Sequence, residues 1–296
     1  MGGISVGPAI SAGFRLIGRE PAAFLVWCLV YLVVTSVPAI ASWSETSAFY
    51  EAAGSGDSEA AAQPPFGPWQ WISLIVSLVA IVCLTTAAMR ATLHPDERRF
   101  FYLQLGAREL WFALTGLVLL VLGLIAYFGG VLVFATTLGA VGAGLGDDGA
   151  MFIGIFVILL FPVMLGLWIW IWVRMSMATT MAYAEKRVRV FSSWRFTKGH
   201  GLRIFLVALS LFVVTVVALL MLLGGGLALL AATVGVTAPA SLQAFYGMAA
   251  EASLAARLVY AGVFSAVFVA MTVIGAASWA EMYRQLRPSS VADTFS

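Results

Sequence analysis

The sequence predicts an all-α, polytopic membrane protein: six transmembrane helices arranged as three hairpins, each preceded by a cytoplasmic interfacial amphipathic helix. Three observations predict it. Of the 296 residues, 62% are hydrophobic and only 10% are charged, whereas a soluble domain carries about 25% charged residues. Six charge-free apolar runs are each long enough to cross a bilayer. The lysines and arginines are gathered in alternate connectors.

A crossing needs about 20 mostly apolar residues to cover roughly 30 Å of hydrocarbon. The runs that meet this are 22–43, 69–89, 110–138, 151–173, 204–227 and 258–280. Their flanks set the orientation, because basic residues resist translocation. Arg15 and Arg19 precede the first run, and Arg90, Arg98, Arg99 and Arg108 separate the second from the third. Arg174, Lys186, Arg187, Arg189, Arg195, Lys198 and Arg203 separate the fourth from the fifth, and Arg284 and Arg287 follow the sixth. The three opposite connectors hold Glu45, Glu51, Asp57, Glu59, Asp147, Asp148 and Glu251, with Arg257 the sole basic exception. The basic side is expected to be the cytoplasm, with both termini on it.

Tryptophans agree with these limits: Trp43, Trp69 and Trp71 mark the outer surface, and Trp111, Trp172 and Trp279 the inner one, as in an aromatic belt. Arg15 and Arg19 followed by an apolar stretch ending Ala39-Ile40-Ala41 resemble a secretory leader. That reading is rejected, because the run is a full span and the residues before it pattern as a helix. Nearly all basic residues are arginine, asparagine is absent, and alanine and glycine abound. This composition points to a bacterial chain from a GC-rich genome, and so to a bacterial inner membrane.

The first outer loop, 44–68, carries Gly54-Ser55-Gly56-Asp57-Ser58-Glu59 and three prolines, too little apolar surface to order itself, and is expected to be flexible. The second outer loop centres on Gly146-Asp147-Asp148 and reads as a solvated turn. Trp111 to Gly146 and Ile204 to Ala250 are uncharged for longer than a crossing requires. Gly129-Gly130, Gly224-Gly225-Gly226 and Pro239 are the expected breaks in them.

Before the first span, Ile10, Phe14 and Ile17 fall on one helical face and Ser11, Arg15 and Arg19 on the other, which predicts an interfacial helix. Pro95 with Asp96 and Glu97 predicts a second helix start, leading into Phe100 to Leu110. A third candidate runs from Phe191 through Trp194 to Lys198. Phe14, Phe101 and Trp194 are the expected anchors in the acyl boundary. Arg15, Arg19, Arg187, Arg189, Arg195, Lys198 and Arg203 are the expected contacts to anionic lipid headgroups. Phe14, Gly18 and Phe24 match Tyr102, Gly106 and Phe112 at an offset of 88, and Phe14-Arg15-Leu16 matches Trp194-Arg195-Phe196 at an offset of 180. These matches predict three parallel repeats, 10–90, 98–189 and 191–287.

No span carries an ionisable residue near its centre, which argues against proton relays, ion-coupled pumping and voltage sensing. A net charge of +2 gives no basic excess for nucleic acid. Cys28 and Cys83 lie singly in apolar runs and read as packing residues. His94 and His200 sit in connectors outside any metal or nucleophile motif, and the chain has neither a P-loop nor a G-x-S-x-G elbow. No catalytic residue, metal or cofactor is therefore expected.

The entry Phe14-Arg15-Leu16-Ile17-Gly18-Arg19-Glu20-Pro21 and the later Ser193-Trp194-Arg195-Phe196-Thr197-Lys198-Gly199 before a long span together resemble a bacterial family. Its members are six-span integral membrane proteins similar to the membrane domain attached to some glycerophosphoryl diester phosphodiesterases. In that family the chemistry belongs to a separate soluble hydrolase domain, for which this chain has no room. The resemblance thus implies membrane attachment, not phosphodiesterase activity. The expected function is non-catalytic: organising or anchoring in the membrane, with lipids as partners and with a protein partner or second copy left open. The alternative is a transporter or channel for an apolar or lipid-like substrate, which needs a cavity lined by polar residues such as Thr115, Ser210 or Thr215.

Overall fold

The computed structural model describes residues 5–55, 67–145, 149–234 and 253–287. These form ten α-helices and one short 3-10 turn, with no strand among the described residues. In chain order the helices are α1 (Val6–Arg19), α2 (Pro21–Ala41), α3 (Trp43–Ser55), α4 (Pro68–Leu93) and α5 (Ala107–Leu145). Then follow α6 (Gly149–Met175), α7 (Ala178–Glu185), α8 (Ser192–Phe196), α9 (Gly201–Val234) and α10 (Leu254–Leu286). The six predicted runs fall in α2, α4, α5, α6, α9 and α10, and six helical segments are long and apolar enough to cross a membrane. Large apolar side chains such as Leu25, Phe128, Val163 and Leu220 stand exposed along them. Water does not tolerate a surface of this size, so lipid is its natural cover.

Helix limits follow local chemistry. Pro21 and Pro68 open α2 and α4 at the first helical position, where the missing N–H costs nothing. Helix α4 ends at Leu93 because His94 precedes Pro95, and clash with the proline ring drives His94 out of the helical region to φ −136°.

That stop overturns the second interfacial helix. The backbone from Pro95 is a turn, and the 3-10 segment Arg99–Tyr102 has left-handed φ values of 48°, 54° and 66° at Phe100, Phe101 and Tyr102. Helix α5 begins only at Ala107. The loop expected over 44–68 is corrected in its first half, since Trp43–Ser55 is helical. The disfavoured residues, Gly56-Asp57-Ser58 onward, lie outside the described residues, as do Asp147, Asp148 and Pro239. The glycine breaks are absent: α5 runs unbroken through Gly129-Gly130 for 39 residues, about 58 Å at 1.5 Å per residue, and α9 runs through Gly224-Gly225-Gly226. Flanking leucine, valine and alanine propagate the helix across each glycine group.

The chain divides into two compact units. The first comprises Gly7–Gln104 and Leu209–Glu281. Here α2 packs along α4, and Gly13 of α1 lies so close to α10 that a Cβ would overlap the backbone of Ile274. The buried face of α1 is Ala9, Ala12, Gly13 and Leu16, which leaves Phe14 outside at 51% exposure. Tyr31 stacks on Phe268 at 4.8 Å. Arg257, the basic exception, lies flat over the Trp43 ring with its Cζ 3.3 Å from the centroid, a position that dilutes its charge over an aromatic face.

The second unit comprises Met1–Val6, Leu105–Ala208 and Met282–Ser296. Helix α5 packs on α6 and α7, and α8 on α6 and α7. Met181, Ala182 and Tyr183 of α7 are buried, with the Arg108 guanidinium 5.9 Å from the Tyr183 ring centroid. The Ser5 backbone N–H donates to Gln285 Oε1 at 2.8 Å.

Candidate functional site at the basic helix ends

In the first unit the junction of α1 and α2 places Glu20 in the protein interior. A buried carboxylate needs partners. Arg98 Nη2 donates to Glu20 Oε2 at 2.6 Å, Arg19 Nε stands 4.0 Å from Oε1, and the Tyr102 hydroxyl lies 3.4 Å from Oε1. The same hydroxyl donates to the Pro95 carbonyl at 3.2 Å. Around it the backbone is held from three sides. Trp27 Nε1 donates to the Phe101 carbonyl at 2.8 Å, Arg90 Nη1 to the Tyr102 carbonyl at 2.9 Å, and Arg19 Nη2 to the Ala91 carbonyl at 2.8 Å. Arg90 Nε also stands 3.6 Å from Glu97 Oε2. The result is a latch that ties the α1–α2 junction to the end of α4 through a left-handed turn.

In the second unit the basic end uses aromatic faces. Arg174, at the end of α6, lies 5.8 Å from the Trp170 centroid and 5.9 Å from that of Trp194, whose rings meet edge to face at 4.7 Å. Ser193 Oγ donates to the Arg174 carbonyl at 2.7 Å, which pins α8 to α6. Phe196 packs on Tyr283 at 5.6 Å. Arg189 Nη1 stands 3.5 Å from Glu185 Oε2, one helical turn away in sequence.

Of the residues expected to meet lipid headgroups, Arg15 and Arg19 lie in the first unit, and Arg187, Arg189, Arg195, Lys198 and Arg203 in the second. All seven are exposed. Arg15 donates to the Pro8 carbonyl at 2.9 Å. Of the expected anchors, Phe14 is exposed on α1, Phe101 is 43% exposed in the turn, and Trp194 is 37% exposed, with part of its surface given to Trp170 and Arg174. Phe101 thus stands on a turn, not on the expected helix.

Sequence reasoning missed Glu20, Trp27, Arg90, Arg98 and Tyr102 as a connected group. The signal was an acid on the basic side: Glu20 directly before Pro21, with arginines at 19, 90 and 98. Of the residues matched at those offsets, Phe14 is exposed on a helix of 14 residues, Tyr102 is buried in a left-handed turn, and Trp194 sits on a helix of five residues.

No group of three or more His, Cys, Asp or Glu side chains among the described residues could hold a metal ion. In the first unit a cavity of about 260 Å³ opens between α9 and α10, lined by Met221, Gly225, Val259 and Tyr260 among others. Thr115, Ser210 and Thr215 do not line it. No family model, curated protein or solved structure matches the chain.

Proposed function

We propose that this chain is a bacterial inner-membrane protein with both termini in the cytoplasm. Its role in this reading is to organise or anchor, by holding the anionic leaflet and a partner against a rigid helical frame. The observation that carries this is the division of labour among the charges at the basic helix ends. The buried acid Glu20 is committed to Arg98, Arg19 and Tyr102, whereas Arg15, Arg187, Arg195, Lys198 and Arg203 stand exposed beside apolar spans. Each exposed arginine near an anionic surface contributes about 1 kcal/mol of attraction. The family resemblance in the two span entries supports membrane attachment in the same sense. Cysteines introduced by Ser55→Cys and Ser290→Cys in a Cys28→Ala, Cys83→Ala background test the orientation. An impermeant thiol reagent added outside should reach position 55 and not position 290, and labelling of both from the same side overturns the topology.

One observation favours a second reading, transport of an apolar or lipid-like substrate: the cavity between α9 and α10 is apolar except for Tyr260. A Cβ on Gly225 meets nothing within 4 Å. Gly225→Leu therefore fills the groove, and loss of lipid flux in proteoliposomes on that change alone would favour transport.

A further inference from the structure

Residues Arg98 to Gln104 carry more backbone strain than any other described segment. Three consecutive residues with aromatic side chains, Phe100, Phe101 and Tyr102, take positive φ, a region that costs an L-residue on the order of 1–2 kcal/mol each and normally falls to glycine or asparagine. Nothing in the sequence relieves it, since residues 98 to 104 contain neither. The strain is held by the buried Tyr102 and by the hydrogen bonds from Trp27 and Arg90 to the turn carbonyls. Its consequence is a reversal of side chains. Tyr102 points in, while Phe100 is 81% exposed, with Arg98 and Arg99 exposed beside it.

What covers this tip follows from where it is tethered. It joins the end of α4 at Leu93 to the start of α5 at Ala107, two helices apolar enough to span a membrane. It therefore lies within a few residues of the hydrocarbon at both ends. The rim is cationic, with Arg98 and Arg99 exposed next to the apolar tip and Arg19 joined to Arg98 through Glu20. An apolar tip ringed by arginines matches an anionic leaflet, acyl chains below and phosphates around.

We propose that the turn at Arg98–Gln104 is a membrane wedge: Phe100 enters the acyl boundary of the leaflet at the basic helix ends, and Arg99 binds a phosphate of anionic phospholipid. The inference rests on the cytoplasmic placement of the basic ends for the identity of the leaflet, and not for the insertion itself. The latch built on Glu20 and Tyr102 sets the depth of the wedge by fixing the turn against α1 and α2.

Nitroxide labels at Phe100→Cys and Asp96→Cys, each in the Cys28→Ala, Cys83→Ala background, test it. The full chain is placed in nanodiscs of phosphatidylcholine, with or without about one-third phosphatidylglycerol. The label at 100 should collide readily with oxygen and poorly with a water-soluble nickel chelate, and the label at 96 should do the reverse. Phosphatidylglycerol should deepen the label at 100. Arg99→Glu should remove that dependence and weaken retention of phosphatidylglycerol roughly fivefold, the equivalent of about 1 kcal/mol per arginine. Equal chelate access at both positions in both lipids overturns the wedge, since both side chains are exposed in the protein and the labels disturb no core. Labelling of the Asp96→Cys variant in right-side-out and inverted vesicles reads the orientation separately, so a wrong leaflet and a failed insertion give different results.

Discussion

In the first unit the arginines Arg19, Arg90 and Arg98 are bound inward, to Glu20 and to backbone carbonyls at Ala91 and Tyr102, while in the second Arg187, Arg195, Lys198 and Arg203 stay exposed and the half-buried cations rest on aromatic rings, Arg174 between two tryptophans and Arg108 over Tyr183. The two regions give their inward cations different partners. In the first, Glu20 sits at a helix junction where the chain buries it, and a buried carboxylate needs compensating partners. The second unit also buries an acid, Glu109, while Glu185 is partly exposed and a turn away from Arg189, a pair worth little. Positive-inside placement is therefore not one property. It covers cations that fix the fold and cations that meet the surface.

Removing Tyr102 breaks the contrast most severely. Its ring is fully buried in the first unit, and truncation of such an aromatic costs about 3–5 kcal/mol. Tyr102→Ala should lower the melting temperature of the purified protein in detergent more than any other change considered, whereas Tyr102→Phe, which keeps the ring and loses only the hydroxyl contacts to Glu20 and Pro95, should cost about 1 kcal/mol. A Tyr102→Ala protein that melts like wild type would mean that the latch does not hold the turn.

Glu20→Gln sharpens the same point at smaller magnitude. The change leaves a side chain of the same shape that accepts only a neutral hydrogen bond from Arg98, and the expected loss is about 1–3 kcal/mol, as for hydrogen bonds to a charged group. Because the Arg98 side chain is itself mostly in solvent, Arg98→Gln should cost less than Glu20→Gln. The two changes together should cost less than their sum, as a double-mutant cycle on melting would read. Strict additivity would show that the 2.6 Å pair contributes nothing of its own.

In the second unit Trp194→Ala removes one of the two rings around Arg174 and the edge-to-face contact with Trp170. The residue is partly exposed, so the loss should be about 1–2 kcal/mol, the sum of one aromatic pair and one cation–π contact. Trp194→Phe should recover most of it. Melting is again the measurement, and an unchanged midpoint for Trp194→Ala would detach α8 from the stability of α6.

The spans were legible because hydrophobic length and charge clustering are one-dimensional properties: 22–43, 69–89 and the other four runs needed no knowledge of which helix meets which. The basic-end residues were legible only as types. Arg19 and Arg187 look alike in sequence, and only the burial of Glu20, a product of tertiary packing at the α1–α2 junction, separates them. Residues 95–102 were misread for a local reason. Pro95, Asp96 and Glu97 make a sound helix start, but nothing in the apolar run Phe100-Phe101-Tyr102 announces that Trp27 and Arg90, more than ten residues away in sequence, will capture its carbonyls. The glycine groups in α5 and α9 misled in the opposite direction. Each was read as a break, and in each the surrounding leucine, valine and alanine carry the helix through.

The smallest stability effect is the one most informative about function. Arg187, Arg195 and Lys198 are exposed and, unlike Arg189, have no acid within ion-pair distance in the described structure. Changing all three to glutamine should therefore change the stability by no more than about 0.5 kcal/mol, as for ordinary surface substitutions. What should change is the response to lipid. A wild-type protein that binds an anionic leaflet through these groups is stabilised by phosphatidylglycerol over phosphatidylcholine, because a ligand bound to the folded state shifts unfolding by mass action. Three charges at about 1 kcal/mol each set the size of the loss. The triple variant should then lose most of that difference, the remainder belonging to Arg99 in the first unit, and added salt should weaken the wild-type difference in the same direction. If the variant keeps its full preference for phosphatidylglycerol, these cations serve topology alone, and the lipid contact must be sought in the first unit, at Arg15 and Arg99.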